Sequence, residues 1–229
     1  MLLSPEEWTA VRLTLVVAAR AVGFGLPLAV AVAWLLARTR FPGRGLVNAI
    51  VHLPLVVPPV VTGWLLLIVF GIRGPVGSLL WEWFGIRLVF TTAAAAIACG
   101  VMVFPVMVRA IRLSLEGADR GMEEAARTLG ANWFDRLWSI TLPLASPGIL
   151  VGGIIGYATS LGEFGAVITF AANIPGQTQT LPLAIFTALQ VPGGEGRAAT
   201  LAMVSLTLAL TGLLLSEWAG GWLNRRLGR

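Results

Sequence analysis

The sequence predicts an all-α membrane protein of about five transmembrane helices, in one domain, with the N-terminus outside and the C-terminus in the cytoplasm. Three observations predict it. The chain of 229 residues is 57% hydrophobic and only 12% charged, outside the range of soluble globular domains. Its apolar residues come in runs near or above the roughly 18–20 residues that cross about 30 Å of hydrocarbon. Its formal charge of +5 rests on arginine alone, with no lysine anywhere, and the arginines gather in a few loops. On a soluble chain that charge would suggest nucleic acid; here no nucleic acid is expected, because the arginines follow the bilayer. One cysteine, Cys99, and one histidine, His52, leave no disulfide and no metal cluster to build, so neither metal nor cofactor is expected.

The spans fall, in order, at about residues 13–37, 46–70, 89–108, 147–171 and 198–222. Leu181 to Val191 is apolar but too short to cross, and Pro182 and Pro192 bracket it; it reads as a short helix on or dipping into one surface. No internal repeat or long linker divides the chain. Arg38, Arg40 and Arg44 follow the first span. Arg109, Arg112, Arg120, Arg127 and Arg136 lie in the loop between the third and fourth, and Arg225, Arg226 and Arg229 in the tail. Eleven of the sixteen arginines thus share one face, which is cytoplasmic by the positive-inside rule. Met1 is then outside and Arg229 inside, as an odd number of spans requires. The first span is no cleavable signal: acidic Glu6 and Glu7 precede it and Arg38 and Arg40 stop it. Trp8, Trp64, Trp81, Trp83 and Trp222 lie near span ends, where either an interfacial belt or packing between helices accounts for them.

The long cytoplasmic loop, about residues 109–143, is the most informative stretch. Arg120 to Leu129 suits a short helix, Gly130 supplies a left-handed residue to end it, and a second short helix fits Trp133 to Ser139. Glu123 and Glu124 sit near the first helix's N-terminus, where its dipole favours them. Ala125 and Ala126 leave one face almost bare, open to close approach by another surface. The pattern fits a docking element or an ordinary amphipathic loop helix equally.

Glu124-Ala-Ala, three residues, Gly130, nine residues, Ile140, one residue, Leu142-Pro143 resembles the signature of bacterial ABC importer permeases at every position. The resemblance extends over nearly the whole chain and is nearest to molybdate permeases. His52-Leu-Pro-Leu-Val-Val-Pro-Pro59, Ser160-Leu-Gly-Glu-Phe-Gly165 and Val191-Pro-Gly-Gly-Glu195 carry it, with Phe41-Pro-Gly43 and Arg109-Ala-Ile-Arg112 in support. Sulfate permeases share the Gly-Glu-aromatic-Gly element, so that element alone does not choose the anion. The resemblance implies a multi-pass subunit of a bacterial inner membrane that moves molybdate into the cytoplasm. Glu124, Ala125, Ala126, Gly130, Ile140, Leu142 and Pro143 would couple it to a separate cytoplasmic ATPase. It also implies a homodimer with the pathway on its two-fold axis and an external oxyanion-binding protein. Tungstate or sulfate is the alternative cargo, and a proton-coupled secondary transporter the alternative mechanism.

Glu163 stands out within the spans, because a carboxylate in hydrocarbon costs about 2.5–3.5 kcal/mol on insertion scales. It pairs with an arginine or with helix N–H groups and shapes the pathway, or it is protonated and donates to the substrate. Arg20 snorkels, packs, or pairs with Glu163. Pro58 and Pro59, with Pro54, break the ladder of span two, and such breaks border either a water-filled path or a packing kink. Ser160, Gly162 and Gly165 complete the expected pathway or gate. Thr159, Ser160 and Thr169 offer hydroxyls, which in spans mostly bond their own helix. Arg73, Arg87, Glu195 and Arg197 are the candidates for contact with the binding protein. No Gly-x-x-x-x-Gly-Lys-Ser/Thr and no lysine occur, so the chain supplies no P-loop for ATP. An intramembrane hydrolase would need convergent nucleophile, base or metal ligands, which one histidine and one cysteine do not furnish. No arginine pair converges at one depth within the spans, so weak intrinsic selectivity among tetrahedral oxyanions is expected.

Overall fold

Ser4 opens the first helix. Its hydroxyl accepts from the Glu7 amide and the Glu7 carboxylate accepts from the Ser4 amide, a reciprocal cap that satisfies two otherwise orphaned donors. The computed structural model describes residues 3–118 and 121–226, and of Glu123, residues 216–217 and 219–226 the backbone only. Arg120 and Arg229 therefore lie outside the described residues, as do the side chains of Glu123, Trp222, Arg225 and Arg226. The described residues form eleven α-helices: α1 (Pro5–Arg38), α2 (Arg44–His52), α3 (Pro59–Phe70), α4 (Pro75–Phe84), α5 (Thr92–Glu116), α6 (Gly121–Thr128), α7 (Trp133–Arg136), α8 (Leu142–Leu161), α9 (Gly165–Phe170), α10 (Leu181–Leu189) and α11 (Glu195–Arg226). No strand occurs among the described residues. Among the described residues four helices are long and apolar enough to cross a membrane, and the number is five, as the apolar runs predict, if the bent pair α2–α3 counts as one broken span rather than a re-entrant loop.

α5 is the axis of the fold, with α1 along one side and α8 along another. Small residues permit this closeness: Ala29, Ala33 and Ala37 of α1 are buried with Val103, Met107, Val108 and Ile111 of α5. In the absence of a hydrophobic drive between helices in lipid, such close packing is what holds them. At the other end of α5, Ala94, Ala95 and Ala98 are buried with Ala166, Val167 and Phe170 of α9. A third cluster joins Ala10 and Val11 of α1, Leu181 and Ala184 of α10, and Leu201 of α11.

Several boundaries differ from the sequence reading: α1 starts at Pro5 rather than near 13, and α5 runs to Glu116 rather than 108, so that Arg109 and Arg112 belong to α5 and not to the loop. Span two is not one straight rod: α2 and α3 meet at a bend of 114°, with a 3₁₀ turn at Leu53–Leu55 between them. Pro54, Pro58 and Pro59 remove three donors within six residues, and α3 restarts with Pro59 at its first position, where a missing N–H costs nothing. Span four begins earlier than expected, since Trp133–Leu161 forms one continuous helical rod of about 44 Å. It also ends earlier, at Leu161, with α9 a separate piece. The helix α4 lies in a loop for which no element was foreseen. Gly74-Pro75 at its start and Gly85 in the left-handed region at its end are the signals that mark it.

Candidate coupling and translocation sites

At the arginine-rich end, α6 stops where the sequence places its stop. Gly130 has φ +86°. Its amide donates to the Arg127 carbonyl at 3.1 Å, and the Ala131 amide donates to the Ala126 carbonyl at 3.0 Å. These two bonds are the Schellman closure of a helix C-terminus. Asn132 then caps α7, its Oδ1 accepting from the Asp135 amide at 2.9 Å. Glu124 and Ala125 are exposed and Ala126 half-buried. Around them stand Leu129 at 87% exposure, Phe134 at 60% and Trp133 at 54%, an apolar surface on a polar loop.

The second signature half joins this loop mechanically to a span. Pro143 has no amide to offer the Ser139 carbonyl and its ring crowds that oxygen. The ladder widens there into a π turn at Leu137–Thr141, with the Leu142 amide reaching back to the Leu137 carbonyl. Such single π turns keep a helix running across an insertion. The expected end of the second helix at Ser139 is therefore replaced by continuity from α7 into α8. Ile140 and Leu142 are half-buried and Pro143 is exposed. Trp133 also meets Trp34 of α1 edge to face, 6.0 Å between centroids.

At the far end of α8 the expected pathway residues come together. The helix ends at Leu161, and the Glu163 Oε1 accepts from the Ala166 amide at 3.0 Å, so the carboxylate caps the first turn of α9. Of the two partners foreseen for Glu163, the structure presents helix N–H groups; it forms no ion pair with Arg20 among the described residues. Ser160 is buried and its Oγ donates to the Gly156 carbonyl at 2.8 Å. Thr169 donates to the Gly165 carbonyl at 2.9 Å, so both hydroxyls bond their own helix. Gly165 lies directly on Pro59: a Cβ there would stand 2.7 Å from the Pro59 Cβ. Gly63 on α3 is as tight against the Ala166 carbonyl, also at 2.7 Å. The Pro58-Pro59 break in span two and the Gly162–Gly165 break in span four thus meet, and Phe164 adds a tilted ring contact with Phe186 of α10 at 5.1 Å.

On the opposite face Arg73 and Arg87 line one cavity of about 430 Å³ together with Phe90, and both are exposed. Glu195 is exposed at the start of α11. Arg197 differs from these: its Nε donates to Glu7 Oε1 at 2.7 Å, and its Nη2 lies 3.6 Å from Glu6 Oε2. That ion pair links residues far apart in sequence, and no local pattern announces it.

The model of the family described as "Binding-protein-dependent transport system inner membrane component" matches residues 25–229. The chain belongs to that family. It is therefore an inner-membrane permease component of an ABC importer. Among curated relatives it is 52% identical, over the full length of both chains, to the "Molybdenum transport system permease protein ModB" of Escherichia coli (strain K12). It is 48% identical to the protein of that name from Haemophilus influenzae, over 97% of each chain. The "Sulfate transport system permease protein CysW" of Synechocystis is 35% identical over 93% of this chain and 78% of that one. Among solved structures, a bacterial ABC transporter involved in alginate import has the same fold, with TM-score 0.77, 18% identity, and 99% and 82% of the two chains covered. The MetNI methionine ABC transporter gives TM-score 0.65 at 19% identity, with 94% and 98% covered.

Proposed function

We propose that this permease, as one half of a homodimer, carries molybdate into the cytoplasm using ATP hydrolysed on a separate subunit. One observation carries the reading: α7 and α8 form a continuous rod whose arginine-rich end bears an exposed apolar surface and whose other end leads into the Gly162–Gly165 break, where Gly165 packs on Pro59. A partner that shifts Trp133 and Phe134 moves the lever that ends at Gly162–Gly165. Glu124, Ala125, Ala126, Gly130, Ile140, Leu142 and Pro143 make the coupling element. Ser160, Gly162, Glu163, Gly165, Pro58 and Pro59 make the gate. Exposed apolar residues on α3, among them Val60, Trp64 and Ile68, suit a second copy across the pathway. The chain acts as a single domain with no ATPase site of its own, its N-terminus outside and its C-terminus inside.

The cargo follows from the relatives named for molybdenum at about half identity; the sulfate relative supports sulfate as the second reading. A binding protein delivers the anion to the outer face, where Arg73, Arg87 and Glu195 are free to meet it. Such rim charges act mainly on association rate. The deciding experiment is uptake of labelled molybdate, tungstate and sulfate by a strain lacking its own permease, supplied with this chain and its ATPase and binding protein. Saturable, ATP-dependent molybdate uptake is expected; uptake of sulfate alone would transfer the assignment. An N-terminal tag should be reachable from outside in intact cells and a C-terminal reporter active inside. Direct titration of the solubilised permease alone should show no submicromolar molybdate binding, since conduction needs weak sites.

A further inference from the structure

A third cavity, of about 260 Å³, lies between α2 and the end of α5 and is lined by Asn48, His52, Arg109, Arg112, Leu113 and Glu116. Five of those six residues are polar or charged, whereas a cavity of about 860 Å³ by Phe24 and Phe104 has Arg20 as its one charged lining residue. The arginines here are positioned. Arg112 donates from Nε to Glu116 Oε1 at 2.8 Å and from Nη1 to Asn48 Oδ1 at 2.9 Å. Arg44 approaches the same Glu116 oxygen at 3.8 Å, so the one carboxylate at the cavity is shared by two guanidinium groups. Arg109 is exposed and forms no ion pair with the described residues. Three arginines against one glutamate leave a formal surplus of two positive charges.

The donors are arranged to match. With Asn48 Oδ1 occupied by Arg112, the Asn48 amide group has N–H donors to spare. His52 Nδ1 lies 2.8 Å from the Asn48 carbonyl, which places the ring hydrogen on that nitrogen. Positive-inside topology requires arginines on this side of the membrane, but it does not require them to converge on one cavity across α2 and α5.

We infer that this cavity is a weak binding site for a tetrahedral oxyanion dianion at the arginine-rich mouth, with Arg109, Arg112 and the Asn48 amide as its donors. It rests on the reading above for its role, as the place where the released cargo is last held. Its existence is independent of that role. A phospholipid phosphate offers the same chemistry, and the test separates the two.

The test uses the full chain in maltoside detergent with Leu113→Cys as a reporter at the rim. Native Cys99 is buried, so the new thiol alone reacts. Relative to their rates with a free thiol, modification by an anionic sulfonatoethyl thiosulfonate should exceed that by a cationic trimethylammonioethyl thiosulfonate by about thirtyfold, since one net positive charge at contact in water shifts the two rates about fivefold each in opposite directions. Sodium molybdate or sulfate should slow the anionic reagent more than sodium chloride at equal ionic strength. Arg109→Gln should weaken both effects, and Leu129→Cys on the distant coupling loop should show neither. Equal rates on that free-thiol scale, or protection no greater than with chloride, overturn the site. Protection by phosphatidylglycerol but not by molybdate or sulfate also overturns it, assigning the cavity to lipid. Protection without molybdate uptake in cells leaves the site standing and removes its transport role. Uptake without protection does the reverse.

Discussion

The two ends of the permease are finished differently. At the end bearing Glu6, Glu7 and Arg197, polar groups close on one another. Thr14 Oγ1 accepts from the Leu181 amide at 2.7 Å, Glu7 takes Arg197, and Asn173, Gln179 and Thr187 form a small network. At the arginine-rich end the coupling loop leaves Leu129, Trp133 and Phe134 exposed. A surface of that kind on a polar loop suits docking by a partner, as proposed above. At the first end these bonds clamp α1, α10 and α11 in register; at the second the loop offers an apolar surface that nothing among the described residues covers. Substitutions at the two ends should therefore fail in different assays.

The largest effect is expected at the open end. Gly130→Val places a β-branched residue at φ +86°, which costs about 1–2 kcal/mol for an L-residue and so moves α7 relative to α6. A Cβ there would meet nothing within 4 Å, so the damage is conformational rather than steric. Uptake should fall about tenfold or more while membrane insertion and thermal stability stay near wild type; Gly130→Asn, tolerant of this conformation, should be milder. Normal uptake by the valine variant would remove the coupling role.

Where the two broken spans meet, both assays should respond. Gly165→Val drives a side chain into Pro59, and overpacking of this kind costs about 1–3 kcal/mol. Uptake should drop together with the melting temperature in detergent. A stable but inactive variant would point to gating beyond packing. An undiminished uptake rate would show that the Pro59–Gly165 contact does not move in the cycle.

These expectations also show which parts were written locally. The five apolar runs, the Gly130 stop and the disruption of span two by prolines were legible, because length, a left-handed residue and missing donors act within a few residues. The π turn was not. Pro143 announces a disturbed ladder, but whether a helix ends or widens there depends on α8 being packed along α5. Glu163 was legible as unusual and not as a cap, since both an arginine and helix N–H groups satisfy a carboxylate. α4 was missed although Gly74-Pro75 and Gly85 bracket it, because its apolar residues read as loop flanks between two spans.

At the closed end the expected effects are smaller and fall on stability. Thr14→Val removes the acceptor for the Leu181 amide, and an orphaned buried donor costs about 1–3 kcal/mol. The melting temperature in detergent should drop by a few degrees, with uptake by the folded fraction unchanged. An unaltered melting temperature would mean that α10 finds another acceptor and is not held by α1.

Arg197 gives the smallest effect and the finest discrimination, because two roles compete for it. As a free docking residue it would slow delivery by the binding protein when changed, and Glu7→Gln would leave delivery untouched. The geometry argues for a clamp: Glu7 is only 11% exposed against 51% for Arg197, with 2.7 Å between their atoms, so the carboxylate is committed to the pair. Partly exposed pairs contribute on the order of 1 kcal/mol or less. Arg197→Gln and Glu7→Gln should therefore each lower the melting temperature slightly, and the double variant should lose no more than the worse single one, the mark of a shared interaction. Additive losses would show that the two residues act separately. A salt-dependent fall in uptake confined to Arg197→Gln would return this arginine to the docking surface beside Arg73 and Arg87.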